Sequence, residues 1–192
     1  MIRAALLMSA IVVGVYGPAL ADETEQTVLD TLQRSLEMPA HRGLLQKMAA
    51  PDVTLAPFKT DGCSGGLSAS WTVVADLFPS FAEAHEQRPP WESCCVLHDR
   101  HYHRAGGTLS PEASYDARLA ADEELRACVV SGGQTRIETL ATRYEVSPDQ
   151  VRLAYNAIGD AMFNAVRFGG APCSGLPWRW GYGYPGCLPA LN

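Results

Sequence analysis

The sequence predicts an all-α, disulfide-stapled domain, with two antiparallel central helices, further helices toward the N- and C-terminal ends and little or no β structure. Apolar residues recur at helical spacing in residues 24–49 and again in residues 151–166. No stretch before Pro172 alternates as a strong strand would. Six cysteines, at 63, 94, 95, 128, 173 and 187, follow a leader that has the order of an export signal.

In that leader, MIRAALLMSAIVVGVYGPALA, one arginine precedes an apolar run over residues 4–15 and a small-residue stretch that ends at Ala21. The run is too short to span a bilayer, so cleavage is expected after Ala21, with export to the periplasm or the medium. Residues 22–192 then form a single domain. The mature chain carries 14 basic and 21 acidic residues, 14 minus 21 or a formal charge of −7. That balance argues against nucleic acid as a partner and against a strongly basic membrane-binding face.

The first helix spans about residues 24–49, with Val28, Leu32 and Leu36 at fourfold spacing and Leu44, Leu45 and Met48 beyond. Pro39 is expected to break it in two, and both apolar stripes, 28–48 and 151–166, are expected to face the core. Residues 51–66 read as irregular chain ending in DGCSGGLS. Pro89 and Pro90 stand before a helix from Trp91 to about Arg104, stopped by Gly106 and Gly107. Ser110 caps the next helix, with Pro111 at its first position, and the helix runs to a stop at Ser131-Gly132-Gly133. A third helical segment covers about 134–144, and Ser147-Pro148-Asp149 opens a fourth. Trp71, Trp91, Trp178 and Trp180 are assigned to packing, and GLPWRWGYGYPG to a disulfide-closed surface loop.

Oxidised, the six cysteines allow 15 pairings. Vicinal Cys94 and Cys95 rarely join each other on a helix, and Cys173 and Cys187 plausibly close one local loop. The stretch CCVLHDRHYH, residues 94–103, carries the chemistry. On a helix Cys94, His98 and Tyr102 follow one fourfold row, and Cys95 and Asp99 the neighbouring one. His98 and Asp99 therefore point about 100° apart and need separate partners.

If Cys94 bonds Cys128, the two helices lie antiparallel and Asp122 can meet His98, orienting the ring and leaving its other nitrogen as a general base. Asp99 would face the partner of Cys95, for which Cys63 in the glycine-rich loop is the sensible candidate. Oxygen donors from such a loop, with a carboxylate, suit calcium. A zinc-type site from His98 and His101 lacks a third ligand, and His103 points off that face.

The segment CCVLHDRHY and the later ADEELRAC resemble the two active-site segments of secreted phospholipases A2, in detail closest to the group XII type. The likeness covers about residues 59–131, the expected catalytic core. It implies a phospholipase A2-like fold and calcium-dependent hydrolysis of the sn-2 ester of glycerophospholipids at a membrane or micelle surface, by a monomer with no acyl-enzyme. It also implies that His98 activates water, Asp122 supports His98 and Tyr102 hydrogen-bonds Asp122. Asp99 would ligate calcium with carbonyls near Gly62, Ser64 and Gly66, with pairings Cys63–Cys95, Cys94–Cys128 and Cys173–Cys187. Where many members carry a further disulfide, this chain has His101 and Ala121. Tyr115 is the candidate for a second supporting tyrosine. The competing expectation is a non-catalytic lipid- or receptor-binding module of the same fold, or a toxin-like effector with the same chemistry.

Overall fold

The computed structural model describes residues 19–63 and 89–190, and every structural statement below concerns those residues. They contain five α-helices and no strand: α1 Ala19–Met48, α2 Glu92–His103, α3 Pro111–Gln134, α4 Ile137–Tyr144 and α5 Pro148–Gly169, with a 3-10 turn at Ala105–Gly107. The chain divides into two units, Met1–Ser35 and Leu36–Asn192. The site described below lies wholly in the second. Among the described residues no helix is long and apolar enough to cross a membrane. Residues 1–18 of the expected leader lie outside the description, as does Trp71.

The predicted caps are present. Ser110 Oγ accepts the Ala113 amide at 3.1 Å. Ser147 forms a reciprocal capping box with Gln150, which satisfies two otherwise orphaned donors at the start of α5. Gly106 and Gly107 take positive φ, 66° and 68°, and turn the chain between α2 and α3.

Two predicted breaks do not occur. Pro39 lies inside an unbroken α1. The missing N–H removes one helical bond, but Glu37, Ala40, His41 and Leu44 around it are all buried, and the Pro39 carbonyl gains the Ala190 amide at 2.9 Å. Ser131-Gly132-Gly133 likewise stays helical, and α3 ends at Gln134. Gly133 serves as a contact surface: a Cβ there would sit 2.2 Å from Tyr155 Cγ, so the close passage of α5 requires glycine.

The two apolar stripes part company. Val151, Tyr155, Met162 and Val166 are buried against Leu125, Val129 and Leu140, each contributing on the order of 1.5–3 kcal/mol by burial. In α1, Val28, Leu32 and Leu36 are exposed, Leu36 at 80%, contrary to the expected core stripe. A fourfold repeat drifts by about 40° per step around a helix of 3.6 residues per turn. The core-facing row is instead Glu37, Ala40, His41 and Leu44.

Three disulfides complete the frame: Cys63–Cys95, Cys94–Cys128 and Cys173–Cys187, with no free cysteine. The first two close loops with sequence separations of 32 and 34 residues, each worth about 3–4 kcal/mol on the chain-entropy account. Cys94 meets Cys128, His98 meets Asp122 and Tyr102 meets Arg118, so α2 and α3 run antiparallel. The segment after α5 is closed by Cys173–Cys187 as expected, and its ends are exposed, but its middle is not at the surface. Trp180 is fully buried, packed edge-on against Tyr102 at 5.0 Å, and the Gly181 and Gly183 amides donate to the Tyr102 and His103 carbonyls at the end of α2.

Candidate functional site

The helical register of α2 brings both His98 and Asp99 to the lining of one cavity of about 380 Å³. His98 Nε2 lies 2.8 Å from Asp122 Oδ1. An ionised carboxylate can only accept, so Nε2 carries the proton and Nδ1 holds the lone pair. Nδ1 is on the cavity side, 4.0 Å from Asp99 Oδ1, too far for a hydrogen bond. The two neighbours thus have separate partners, Asp122 and Thr60, as their spacing on the helix predicts.

Asp122 is wholly buried. Its Oδ1 also accepts the Tyr102 hydroxyl at 2.7 Å, and burial pushes that phenol far above its ordinary range, so it remains a donor. Oδ2 accepts Arg167 Nη1 at 3.0 Å. Tyr115, the candidate second tyrosine, lies with its ring 5.2 Å from the Arg167 guanidinium carbon.

Behind Asp122 is a set of buried ions that the sequence reading did not include. Arg118, fully buried, donates from Nη1 to Glu37 Oε2, from Nε to the Tyr102 oxygen at 3.2 Å, and from Nη2 to the Val166 and Arg167 carbonyls at 2.8 Å each. Arg167 Nη2 reaches Glu37 Oε1 at 3.1 Å. Two carboxylates and two guanidiniums therefore balance in the interior, as buried charges must. Burial pushes the Glu37 carboxyl up, but His41 and the two guanidiniums outweigh it and hold it at about 2. The available signals were the i, i+4 pairs Glu37/His41 and Arg118/Asp122, which read equally well as surface pairs.

Glu37, His41 and Ser114 resemble a hydrolase triad in composition. His41 Nδ1 is 2.9 Å from Ser114 Oγ, which also accepts Trp180 Nε1–H at 3.0 Å. His41 and Ser114 are fully buried, however, and neither lines the cavity. Burial pushes His41 below its ordinary value, against the pull of Glu37. The trio braces α1 against α3 and cannot meet a substrate.

Next to His98 on the lining, Asp99 Oδ2 accepts the Thr60 hydroxyl at 2.5 Å. Thr60 Oγ1 in turn accepts the Gly62 amide at 3.0 Å, and Gly62 sits at φ 74°. Burial pushes the Asp99 carboxyl up and Asp61 adds to this, while Thr60 and His98 oppose it. Ser64 and Gly66 lie outside the described residues. No group of three His, Cys, Asp or Glu side chains poised for a metal occurs among those described. The oxygen groups recorded near Asp99 are the Thr60 hydroxyl and the Asp61 carboxylate, and every cysteine is in a disulfide. Oxygen donors of this kind fit a hard cation.

His101 and His103 do not line the cavity. His101 Nε2 faces Glu124 at 3.5 Å near the surface, and His103 is buried between the Phe58 and Tyr182 rings. Ala121, the other half of the missing disulfide position, is a core residue. Leu125, Met162, Val166, Pro177 and Trp178 give the cavity an apolar wall, and Lys59 and Tyr182 also line it. Trp91 packs edge-on against Tyr155 at 6.0 Å, so of the three described tryptophans Trp178 is the one on this wall. Comparison with protein-family models, with curated proteins and with solved structures finds no match to this chain.

Proposed function

We propose that the chain is an exported, calcium-dependent phospholipase A2 of the group XII-like type, with a phospholipase A2-like fold, acting as a monomer on the sn-2 ester of glycerophospholipids at a lipid surface. The observation that carries this reading is the 2.8 Å contact of His98 Nε2 with buried Asp122, which leaves Nδ1 on a cavity shared with Asp99. A histidine held in one tautomer by a carboxylate is a general base.

Nδ1 takes a proton from a water molecule, whose oxygen bonds to the ester carbonyl carbon. Asp122 stabilises the imidazolium that forms, and Tyr102 holds the carboxylate in line. The same proton passes to the departing glycerol oxygen as the acyl C–O bond breaks. The products are a fatty acid and a lysophospholipid, and no covalent enzyme intermediate is required. Asp99 and carbonyls near Gly62, Ser64 and Gly66 would hold the calcium ion. When bound, it supplies Lewis-acid polarisation of the carbonyl and a counter-charge for the phosphate. The apolar wall suits an acyl chain, with the polar end of the cavity at His98 and Asp99.

Product analysis tests this. Vesicles of phosphatidylcholine carrying different chains at sn-1 and sn-2 are incubated with the protein and calcium, and the products identified by mass spectrometry. Release of the sn-2 chain with the matching lysophospholipid is expected. Sedimentation with the vesicles and no product would instead identify a non-catalytic lipid-binding module.

A further inference from the structure

We propose that Arg167 is a positioning residue for the His98–Asp122 pair, pinning the second carboxylate oxygen so that the first stays aimed at the imidazole; this rests on the reading of His98 as general base. Asp122 Oδ1 carries two donors, His98 Nε2 and the Tyr102 hydroxyl. Oδ2 has the Arg167 Nη1–H at 3.0 Å, whereas Arg118 Nε is 3.9 Å away, beyond hydrogen-bond length. A carboxylate held at one oxygen can turn about its Cβ–Cγ bond, and one held at both cannot.

Arg167 is itself fixed. Its second arm is on Glu37 Oε1 at 3.1 Å, its backbone carbonyl accepts Arg118 Nη2, and the Tyr115 ring lies against its guanidinium. The planar fork therefore sets the distance between a carboxylate on α1 and one on α3, with α5 as the anchor. It also supplies counter-charge. Arg167 Nη1 brings a positive charge to Asp122 from the side opposite His98.

A structural ion pair would show different behaviour from a positioning group. The comparison uses Arg167→Met, Arg167→Lys and the double variant Glu37→Met/Arg167→Met, which removes one charge of each sign and leaves Arg118 balanced by Asp122. Arg167→Met is expected to lower both thermal stability and kcat on phospholipid vesicles, kcat by about 100-fold, the loss that misplacement of a reacting group by about 1 Å can cause, with KM changed less than about twofold. Arg167→Lys restores part of kcat. The double variant regains most of the thermal midpoint but not kcat, because Oδ2 still lacks its donor. Recovery of kcat together with stability in the double variant overturns the proposal, as does an unchanged kcat in folded Arg167→Met.

Spectroscopy of the His98 ring separates this inference from the hydrolase reading. The wild type should show a protected Nε2–H signal of a single tautomer, and both variants with Met at 167 should lose it to exchange or a tautomer mixture. If the wild type releases no fatty acid, the hydrolase reading fails and the ring spectrum alone decides. The same Nε2–H signal in both Met variants then overturns the positioning role.

Discussion

The two carboxylate ends of the site, Asp122 buried behind His98 and Asp99 on the cavity lining, are built on opposite terms. At the Asp122 end every carboxylate oxygen is engaged, by His98 and Tyr102 on one side and Arg167 on the other, and charges of both signs balance out of contact with water. At the Asp99 end the carboxylate has one hydroxyl partner, Thr60, and a neighbouring acid, Asp61, whose charge pushes it upward. The first end has both carboxylate oxygens engaged, which under the proposed function would keep His98 in one tautomer. At the second, Asp99 and Asp61 share the cavity lining with Lys59, and under the proposed function the two acids would face the cation.

The sharpest way to break this contrast is to unbalance the closed end. Asp122→Asn leaves two buried guanidiniums facing one carboxylate, and should destabilise the fold by about 3–5 kcal/mol, read from urea unfolding. Asp99→Asn, by comparison, should cost little stability in calcium-free buffer.

Acid separates the ends next. Glu37 titrates at about 2 instead of 4.5, so its ionised form contributes stability that is fully present above about pH 4.5 and is lost as the pH falls toward 2. The loss is on the order of 3 kcal/mol. Urea midpoints at pH 7 and pH 3 should differ less in Glu37→Gln than in the wild type, because the variant lacks this proton linkage.

Calcium tests the open end. At about 100 times its dissociation constant it should stabilise the wild type by about 2.7 kcal/mol, seen as a higher thermal midpoint, and should leave Asp99→Asn unmoved. The smallest effect is expected at the apolar wall. Trp178→Ala should change relative rates on phospholipids with short and long sn-2 chains by about 10-fold, the scale of one apolar contact. Equal rates in variant and wild type for both chain lengths would place the acyl chain elsewhere.

What the sequence disclosed follows the same division. The α2 register, set by the spacing of Cys94, Cys95, His98, Asp99 and Tyr102, was legible because helix periodicity is local, and the Cys94–Cys128 bond brings Asp122 to His98. Glu37, Arg118 and Arg167 were not legible. Charged side chains usually read as surface, and the Arg118–Glu37 and Arg167–Glu37 contacts join residues 81 and 130 positions apart. Pro39 and Gly133 were read as breakers because local propensity says so; packing around Leu44 and against Tyr155 overrides it. The tryptophan-rich segment after α5 has no periodicity, so although its tryptophans were assigned to packing, as Trp180 bears out, the placement of Trp178 on the cavity was not legible.

The central claim is that His98 and Asp99 do different work at one site, base and cation ligand. The most direct measurement is fatty-acid release from mixed phospholipid vesicles by the wild type and His98→Gln, each with calcium and with a chelator. Calcium-dependent release that falls by about 1,000-fold in His98→Gln, within the range of a lost general base, is predicted. Release that survives the chelator, or is undiminished in His98→Gln, would contradict the account.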